Sequence, residues 1–347
     1  MKILVDIGHP AHVHYFRNAI TELQKRGHEF LITTRDKEVA LDLLKSYGFN
    51  YVCTGKNKAG TFKKFLTMFR NDRIIYREAK RFKPDLFLSF FSPFAAQVAW
   101  FMKIPAIGFT DTETAKLSIQ LTLPFTKYVF TPNCFYTDFG AKQFRFNGYM
   151  ETFYLHPNYF TPDPSVLTDM GVAPEETYFV MRLVSFNAGH DAGESGIAEN
   201  DKMKIAEYLS TKGKLFISSE GALPEQFKKY QLKTSPQSFH SVLAYASLYV
   251  GEGATTASEC AQLGTPAIYI NTLKPGYMIE LEERGLIFNF PDAGSAYTKI
   301  TEIAETKDMK NKFKKIATNM MNEIIDCTAY LVDLVDTYPQ SIKTMKR

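Results

Sequence analysis

A chain of 347 residues with 45% hydrophobic and 22% charged side chains is long enough for two domains with buried cores, and too apolar for a disordered or collagen-like chain. Its four cysteines, Cys53, Cys134, Cys260 and Cys327, stand far apart with no C-x-x-C pair, which suggests neither a zinc cage nor a redox couple and fits a reducing cytosol. The net charge of +4 describes no generally basic protein.

The apolar run after Met1-Lys2, Ile3 to Val5, is too short for a signal peptide. No stretch reaches the roughly 18 uncharged apolar residues of a membrane span; the nearest, 86–102, carries Ser89, Ser92, Pro93 and Gln97. The expected location is the cytoplasm, with at most a peripheral membrane contact. Lys2 to Ile7 reads as a strand ending in a turn, Gly8-His9-Pro10-Ala11-His12. Val13, Phe16, Ile20 and Leu23 then recur at spacings of three and four, which predicts an amphipathic helix. Gly27 stops that helix, and Glu29 to Thr33 is the next strand. Strand, loop, helix, glycine and strand make a βαβ unit, which implies a parallel sheet.

The alternation continues with a helix over 39–47, a strand at Tyr51-Val52, a basic helical stretch, and strands over 83–89, 104–109 and 128–130. Pro157, Pro162, Pro164 and Pro174 cluster with Asn158, Asp163 and Gly171 in a linker composition. Strands then return at 178–181, 215–217, 248–250 and 267–270. The end reads as helical, with Phe313, Ile316, Met320, Ile324, Cys327, Leu331 and Leu334 on one stripe. The expectation is an α/β fold of two Rossmann-like domains whose parallel sheets face across a cleft. Residues 1–160 would form the first and 161–325 the second, with a last helix in 326–347 returning to the first. Ligands in such sheets bind where strands end, so the loops after strands carry the information.

After the strand at 248–250 comes Gly251-Glu252-Gly253-Ala254-Thr255-Thr256. The glycines let the backbone turn and approach a ligand closely. Near Thr255 and Thr256 a helix begins, whose free N–H groups and positive end suit a phosphate. Glu259, one turn further, can accept hydrogen bonds from ribose hydroxyls. A tight turn with a solvent-facing glutamate is the plainer alternative. His9, His12 and His14 gather after the first strand, three of the chain's seven histidines. Imidazole titrates near neutrality and suits a general base, whereas this spacing matches no metal-ligand pattern; capping and packing of the first helix is the alternative. Asp111 and Glu113 follow the strand at 104–109 and can bind sugar hydroxyls, orient a base or act as one, or cap a helix over 114–121. Arg182, at the end of the strand over 178–181, can neutralise a diphosphate, with His190 and Asp191 in the loop behind it, or be a surface charge. Ser219-Glu220-Gly221 is a weaker site of the same kind.

The run Gly251-x-Gly253-Ala254-Thr255-Thr256-x-Ser258-Glu259, followed by Leu263-Gly264-Thr265-Pro266, resembles the nucleotide-sugar domain of GT-B glycosyltransferases. The parallel is nearest to the peptidoglycan N-acetylglucosaminyltransferases that act on a lipid-linked acceptor; the non-hydrolysing UDP-N-acetylglucosamine 2-epimerases share the fold. Phe239 to Ala246 matches that family's base-recognition loop and helix, which implies a nucleotide contact at His240. Over nearly its whole length the chain is similar to a prokaryotic family, domain of unknown function 354, of the same superfamily. The resemblance implies a glycosyltransferase of polysaccharide or glycoconjugate synthesis. Its donor would be a nucleotide sugar, UDP-linked, and its acceptor a carbohydrate or lipid-linked molecule. Backbone donors and Arg182 can stabilise the leaving diphosphate, so neither a metal nor a cofactor is expected. His12-Val13 aligns with a His-Val pair that ends a glycine-rich loop in that family, which makes His12 the base, supported by Asp111 or Glu113. Pro10-Ala11 stands where that family has glycines. The epimerases carry a His-Arg-Glu-Asn stretch after the strand at 178–181, and this chain does not. An epimerase or hydrolase using Asp111 and Glu113, and a non-catalytic nucleotide-binding protein, are the alternatives.

The charge is concentrated. Between 56 and 83 ten lysines and arginines stand against Asp72 and Glu78, a net +8 that leaves −4 for the rest. Phe62, Phe65, Leu66, Phe69, Ile74 and Ile75 interleave them, which predicts amphipathic helices with a cationic face. Such a face suits an anionic membrane or a polyanionic acceptor, or is simply solvated; no nucleic-acid-binding module accompanies it.

Overall fold

A run buried on both sides makes the first strand, β1 (Lys2–Ile7), as a central parallel strand requires. The computed structural model describes residues 1–37, 39–55, 61–173, 175–184, 197–219 and 221–345, with the side chains of all of these but 61–68. Helix α1 (Pro10–Lys25) buries Val13, Phe16, Ile20 and Leu23 on one stripe. Its N-cap is His9, whose Nδ1 accepts from the Ala11 N–H at 3.2 Å, and Pro10 has no N–H to satisfy. Gly27, at φ +86°, turns the chain into β2 (Glu29–Thr34).

The alternation continues through α2 (Ala40–Ser46), β3 (Tyr51–Cys53), α3 (Thr61–Phe82), β4 (Leu86–Ser89), α4 (Pro93–Phe101), β5 (Ala106–Phe109), α5 (Lys116–Thr122), β6 (Tyr128–Pro132), β7 (Gln143–Phe146) and the single turn α6 (Thr152–Leu155). Two strands start later than the sequence predicts. Pro84 and Pro105 lack the N–H a ladder needs, so pairing begins at Leu86 and Ala106. The sheet is parallel throughout, in the order β3-β2-β1-β4-β5-β6-β7. Its strand order therefore reverses between β1 and β4, the switch point at which open α/β sheets take ligands. On one face Leu4 and Phe87 pack against Ile75 and Ala79 of α3 and Ala95 and Val98 of α4.

The second unit holds α7 (Ser165–Asp169), β8 (Tyr178–Leu183), α8 (Glu199–Lys212), β9 (Lys214–Ser219), α9 (Phe239–Tyr245), β10 (Leu248–Gly251), α10 (Ala254–Gln262), β11 (Ala267–Ile270), α11 (Gly276–Glu283), β12 (Ile287–Phe290), α12 (Ala293–Glu305) and α13 (Met309–Glu323). Its parallel sheet runs β12-β11-β10-β8-β9, with the switch point between β8 and β10. Met181, Val250 and Ile268 of the strands pack against Ile205 and Leu209 of α8 and Ile300 of α12. Residues 1–154 with 325–347 form one compact unit and 155–324 the other.

The C-terminal stripe is not one helix. Ile324 adopts extended φ/ψ at the end of α13, and Asp326 caps α14 (Cys327–Asp336) by accepting from the Ala329 N–H at 2.9 Å. Phe313 and Met320 consequently serve one unit while Cys327, Leu331 and Leu334 are buried in the other. A period of 3.6 runs through both helices and hides the break. The segment is tied down in the first unit: Ile325 N–H donates to Asn147 O at 2.9 Å, and Asp336 pairs with Arg26 at 2.7 Å and His28 at 2.9 Å. A last turn, α15 (Gln340–Thr344), follows.

Candidate functional site

At the β8/β10 switch point the chain passes from Gly251 to α10 with Gly253 as N-cap. The first helical hydrogen bond is the one Ala257 donates to Gly253 O at 3.1 Å. The N–H groups of Ala254, Thr255 and Thr256 thus precede the helix's own ladder and stand at its positive end. Glu259 is not solvent-facing. It is 6% exposed, and its Oε1 lies 3.0 Å from Nε2 of His240, itself 3% exposed. Arg182, half-buried near the end of β8, donates to Ser218 Oγ at 3.0 Å and lies over the Phe239 ring at 5.5 Å. Phe239 and His240 open α9, so Arg182, α9 and α10 meet at the ends of β8 and β10.

The two glycines of the loop have different physical grounds. A Cβ on Gly251 would stand 2.3 Å from the Tyr249 hydroxyl and 3.0 Å from Arg182 O, whereas on Gly253 the nearest atoms are 3.9 and 4.0 Å away. The fold requires glycine at 251 and leaves room for a methyl at 253. Gly251→Ala is expected to cost about 1–3 kcal/mol of stability. Gly253→Ala should cost under about 1 kcal/mol, the loss of a favourable N-cap residue, while weakening a diphosphate held at the helix start. Thermal unfolding and nucleotide titration of both variants check this; equal destabilisation would make both glycines purely structural.

Sequence reasoning missed Glu252, which is 2% exposed. Its Oε2 accepts from the Val184 N–H at 3.1 Å and its Oε1 from the Ile197 N–H at 2.6 Å, with Lys202 Nζ 3.9 Å away. It ties β8 and the chain before α8 to the end of β10. An acid between two glycines after a strand was the one signal for it. Ser219 ends β9, half-buried; Glu220, His190 and Asp191 lie outside the described residues.

At the β1/β4 switch point His12 sits in the first turn of α1. Its Nδ1 accepts from the Gly8 N–H at 3.2 Å, and its ring lies 4.6 Å from that of Phe90 and 6.0 Å from that of Tyr15. With Nδ1 accepting, the neutral ring carries its proton on Nε2. Burial first, then the neighbouring His9, Arg35 and Lys37, hold its pKa well below the usual histidine value. Asp111 and Glu113, 6% and 5% exposed, follow β5. Thr112 Oγ1 donates to Asp111 Oδ1 at 2.9 Å, and Glu113 Oε1 accepts from the Tyr136 N–H at 3.2 Å. Burial, with Glu113 adding repulsion, pushes the Asp111 carboxyl up to about 7. Helix α5 starts at Lys116 behind Ala115 and has no side-chain cap, so capping is not what these acids do.

The predicted residues therefore separate. Neither Asp111 nor Glu113 is among the charged groups that act on His12, which are His9, Arg35 and Lys37. Strand β4 stands between β1 and β5, and His12 turns toward β2 and β4 while Asp111 pairs with Glu113. His9 serves as the N-cap of α1, the structural alternative. His14, 7% exposed, packs against Tyr154 at 5.2 Å.

A family model described as "Protein of unknown function (DUF354)" matches residues 1–338. The chain belongs to the DUF354 family. The uncharacterized protein MJ0665 of Methanocaldococcus jannaschii is 26% identical over 282 residues, 77% of this chain and 81% of that one. The UDP-GlcNAc 2-epimerase of Neisseria meningitidis bound to UDP-GlcNAc is similar in structure, with a TM-score of 0.70 at 12% identity, covering 96% of this chain and 99% of the other. The spinosyn rhamnosyltransferase SpnG in complex with spinosyn aglycone gives a TM-score of 0.62 at 13% identity over 97% and 100%. The α/β fold with two parallel sheets, of the GT-B type, is the one expected from sequence.

In this DUF354 chain the basic segment is a helix over its described part. Arg73, Arg77, Lys80 and Arg81 of α3 are exposed, and Glu78 pairs with Arg77 at 2.8 Å and Arg81 at 3.5 Å. Phe101, 68% exposed, packs edge-on against Tyr76 of the same helix. Residues 56–60 and the side chains of Phe62, Phe65 and Leu66 lie outside the described set. Among the described residues no helix is long and apolar enough to cross a membrane.

Proposed function

We propose that this chain is a glycosyltransferase using a nucleotide-sugar donor. The observation that carries the reading is the buried Glu259–His240 pair beside the start of α10, at the switch point of the second sheet. The donor diphosphate is received by the N–H groups of Ala254, Thr255 and Thr256 and by Arg182. Glu259 accepts from the ribose hydroxyls, and His240 holds it in place next to the nucleoside. A structure of the same fold holds UDP-GlcNAc, which favours a UDP-linked donor.

The first unit takes the acceptor. Asp111, with its carboxyl near 7, is better placed for proton abstraction than His12, whose ring presents an N–H rather than a lone pair at Nε2. The acceptor oxygen gives its proton to Asp111 and bonds to the anomeric carbon. The bond from that carbon to the diphosphate oxygen breaks, and the nucleoside diphosphate leaves with the electron pair, its charge met by Arg182 and the α10 amides.

The close Asp111–Glu113 pair also favours a second reading, epimerisation or hydrolysis of the sugar nucleotide itself. Thermal unfolding with UDP, GDP, CDP and dTDP selects the base, since a ligand of the native state raises its melting temperature. The sugar nucleotide so selected, incubated with enzyme and no acceptor, should stay intact over many turnover times. Rapid release of nucleoside diphosphate, or an epimerised sugar, would replace the transferase by the second reading.

A further inference from the structure

Directly after β2, Arg35 brings a guanidinium to the β1 loop. The group stacks on Phe94 with 4.8 Å between Cζ and the ring centroid. Its Nη2 stands 1.8 Å, and His12 Cε1 3.6 Å, from where a Cβ on Gly8 would be. Only glycine lets the arginine lie against this backbone. Yet among the described residues the Arg35 guanidinium makes no hydrogen bond and no ion pair, and its Nε is buried without an acceptor.

Among the described residues the carboxylate that attracts it, Asp6, is committed elsewhere. Asp6 Oδ1 accepts from Thr33 Oγ1 at 2.7 Å and Oδ2 from Ser92 Oγ at 2.6 Å. A guanidinium has five N–H donors, and leaving them unpaired next to His9, His12 and Lys37 opposes folding. Such an arrangement is expected where a ligand supplies the missing acceptors. His12 adds a donor of its own. Its Nδ1 is taken by the Gly8 N–H, so the neutral ring carries its proton on Nε2.

We propose that Arg35 and His12 form a phosphoryl-anion site in the first unit. Its occupant has at least three oxygens to receive a planar fork and an imidazole N–H, which a phosphate group offers and a carboxylate does not. The site stands without the glycosyl-transfer reading; with it, the occupant is the phosphate of a phosphorylated acceptor.

The test uses the full chain as wild type, Arg35→Met and Arg35→Lys, with calorimetry and thermal unfolding. The probes are inorganic phosphate, glycerol phosphate and acetate, and UDP serves as control for the second unit. Without ligand, Arg35→Met should melt roughly 2–4 °C higher, because an uncompensated charge is gone. It should bind either phosphate about tenfold or more weakly and UDP unchanged, with Arg35→Lys in between. Tighter binding of glycerol phosphate than of inorganic phosphate marks an organic phosphate as the occupant; equal binding marks free phosphate. A lower melting temperature for Arg35→Met, phosphate affinity indifferent to the substitution, or acetate binding as tightly would overturn the proposal. Loss of UDP binding in the wild type would strike the function proposed above and leave this site standing.

Discussion

Glu259→Gln is expected to lower the affinity for the donor nucleotide about 10- to 100-fold while leaving the melting temperature nearly unchanged. The carboxylate is held against His240 at 3.0 Å inside the protein, and an ionised acceptor makes hydrogen bonds worth about 1.5–3 kcal/mol. Glutamine keeps the volume and one acceptor for His240 but loses the charge and half of the accepting capacity. His240→Ala should give a similar loss, because Glu259 then lacks the partner that orients it. Calorimetric titration with UDP, together with thermal unfolding, reads both quantities. Full affinity with a lower melting temperature would make the pair a core contact and remove the main support for a nucleotide site.

Asp111→Asn should abolish turnover by 100-fold or more, as expected when a general base is lost, and yet stabilise the protein at alkaline pH. The folded carboxyl titrates near 7 against 3.8 in the unfolded chain. Between those values the folded state keeps a proton that the unfolded state has released. This group's contribution is therefore fully favourable below pH 4, falls as pH rises to 7, and stays low above. Asparagine removes the dependence while still accepting from Thr112. The variant should be more stable than wild type by on the order of 2–4 kcal/mol at pH 8 and equal to it at pH 4. Denaturant unfolding at the two pH values decides this. The wild-type rate should rise through an inflection near 7 that belongs to the Asp111–Glu113 pair. A less stable variant at pH 8 would show that the ionised carboxylate is held by partners and is no candidate base.

How much of this was legible differs from element to element. The βαβ units are local facts: apolar runs that end in glycine-bearing turns, followed by a 3.6-residue stripe. The strands β7 and β12 escaped, being four-residue edge strands too short to show a period. The helix break at Ile324 escaped because both helices keep the same period and each is buried for its own reason. The loop after β10 announced itself through Gly251, Gly253 and Glu259. Arg35 stood in a loop of the same kind, after β2, where nothing in Thr34-Arg35-Asp36 sets an arginine apart from an ordinary surface charge.

The order of apolar, glycine and polar residues was thus enough to determine two parallel α/β units, and the resemblance of the motifs was enough for the family, because each βαβ unit and each motif is written within some thirty consecutive residues. Which side chains act together was decided only by the tertiary structure. Strand order separates His12 from Asp111 by one intervening strand, brings Arg35 onto Gly8 from 27 positions away, and buries Glu259 against His240 across 19. Pairings of that range depend on how strands are shuffled within a sheet, and a shuffled order leaves no period in the chain.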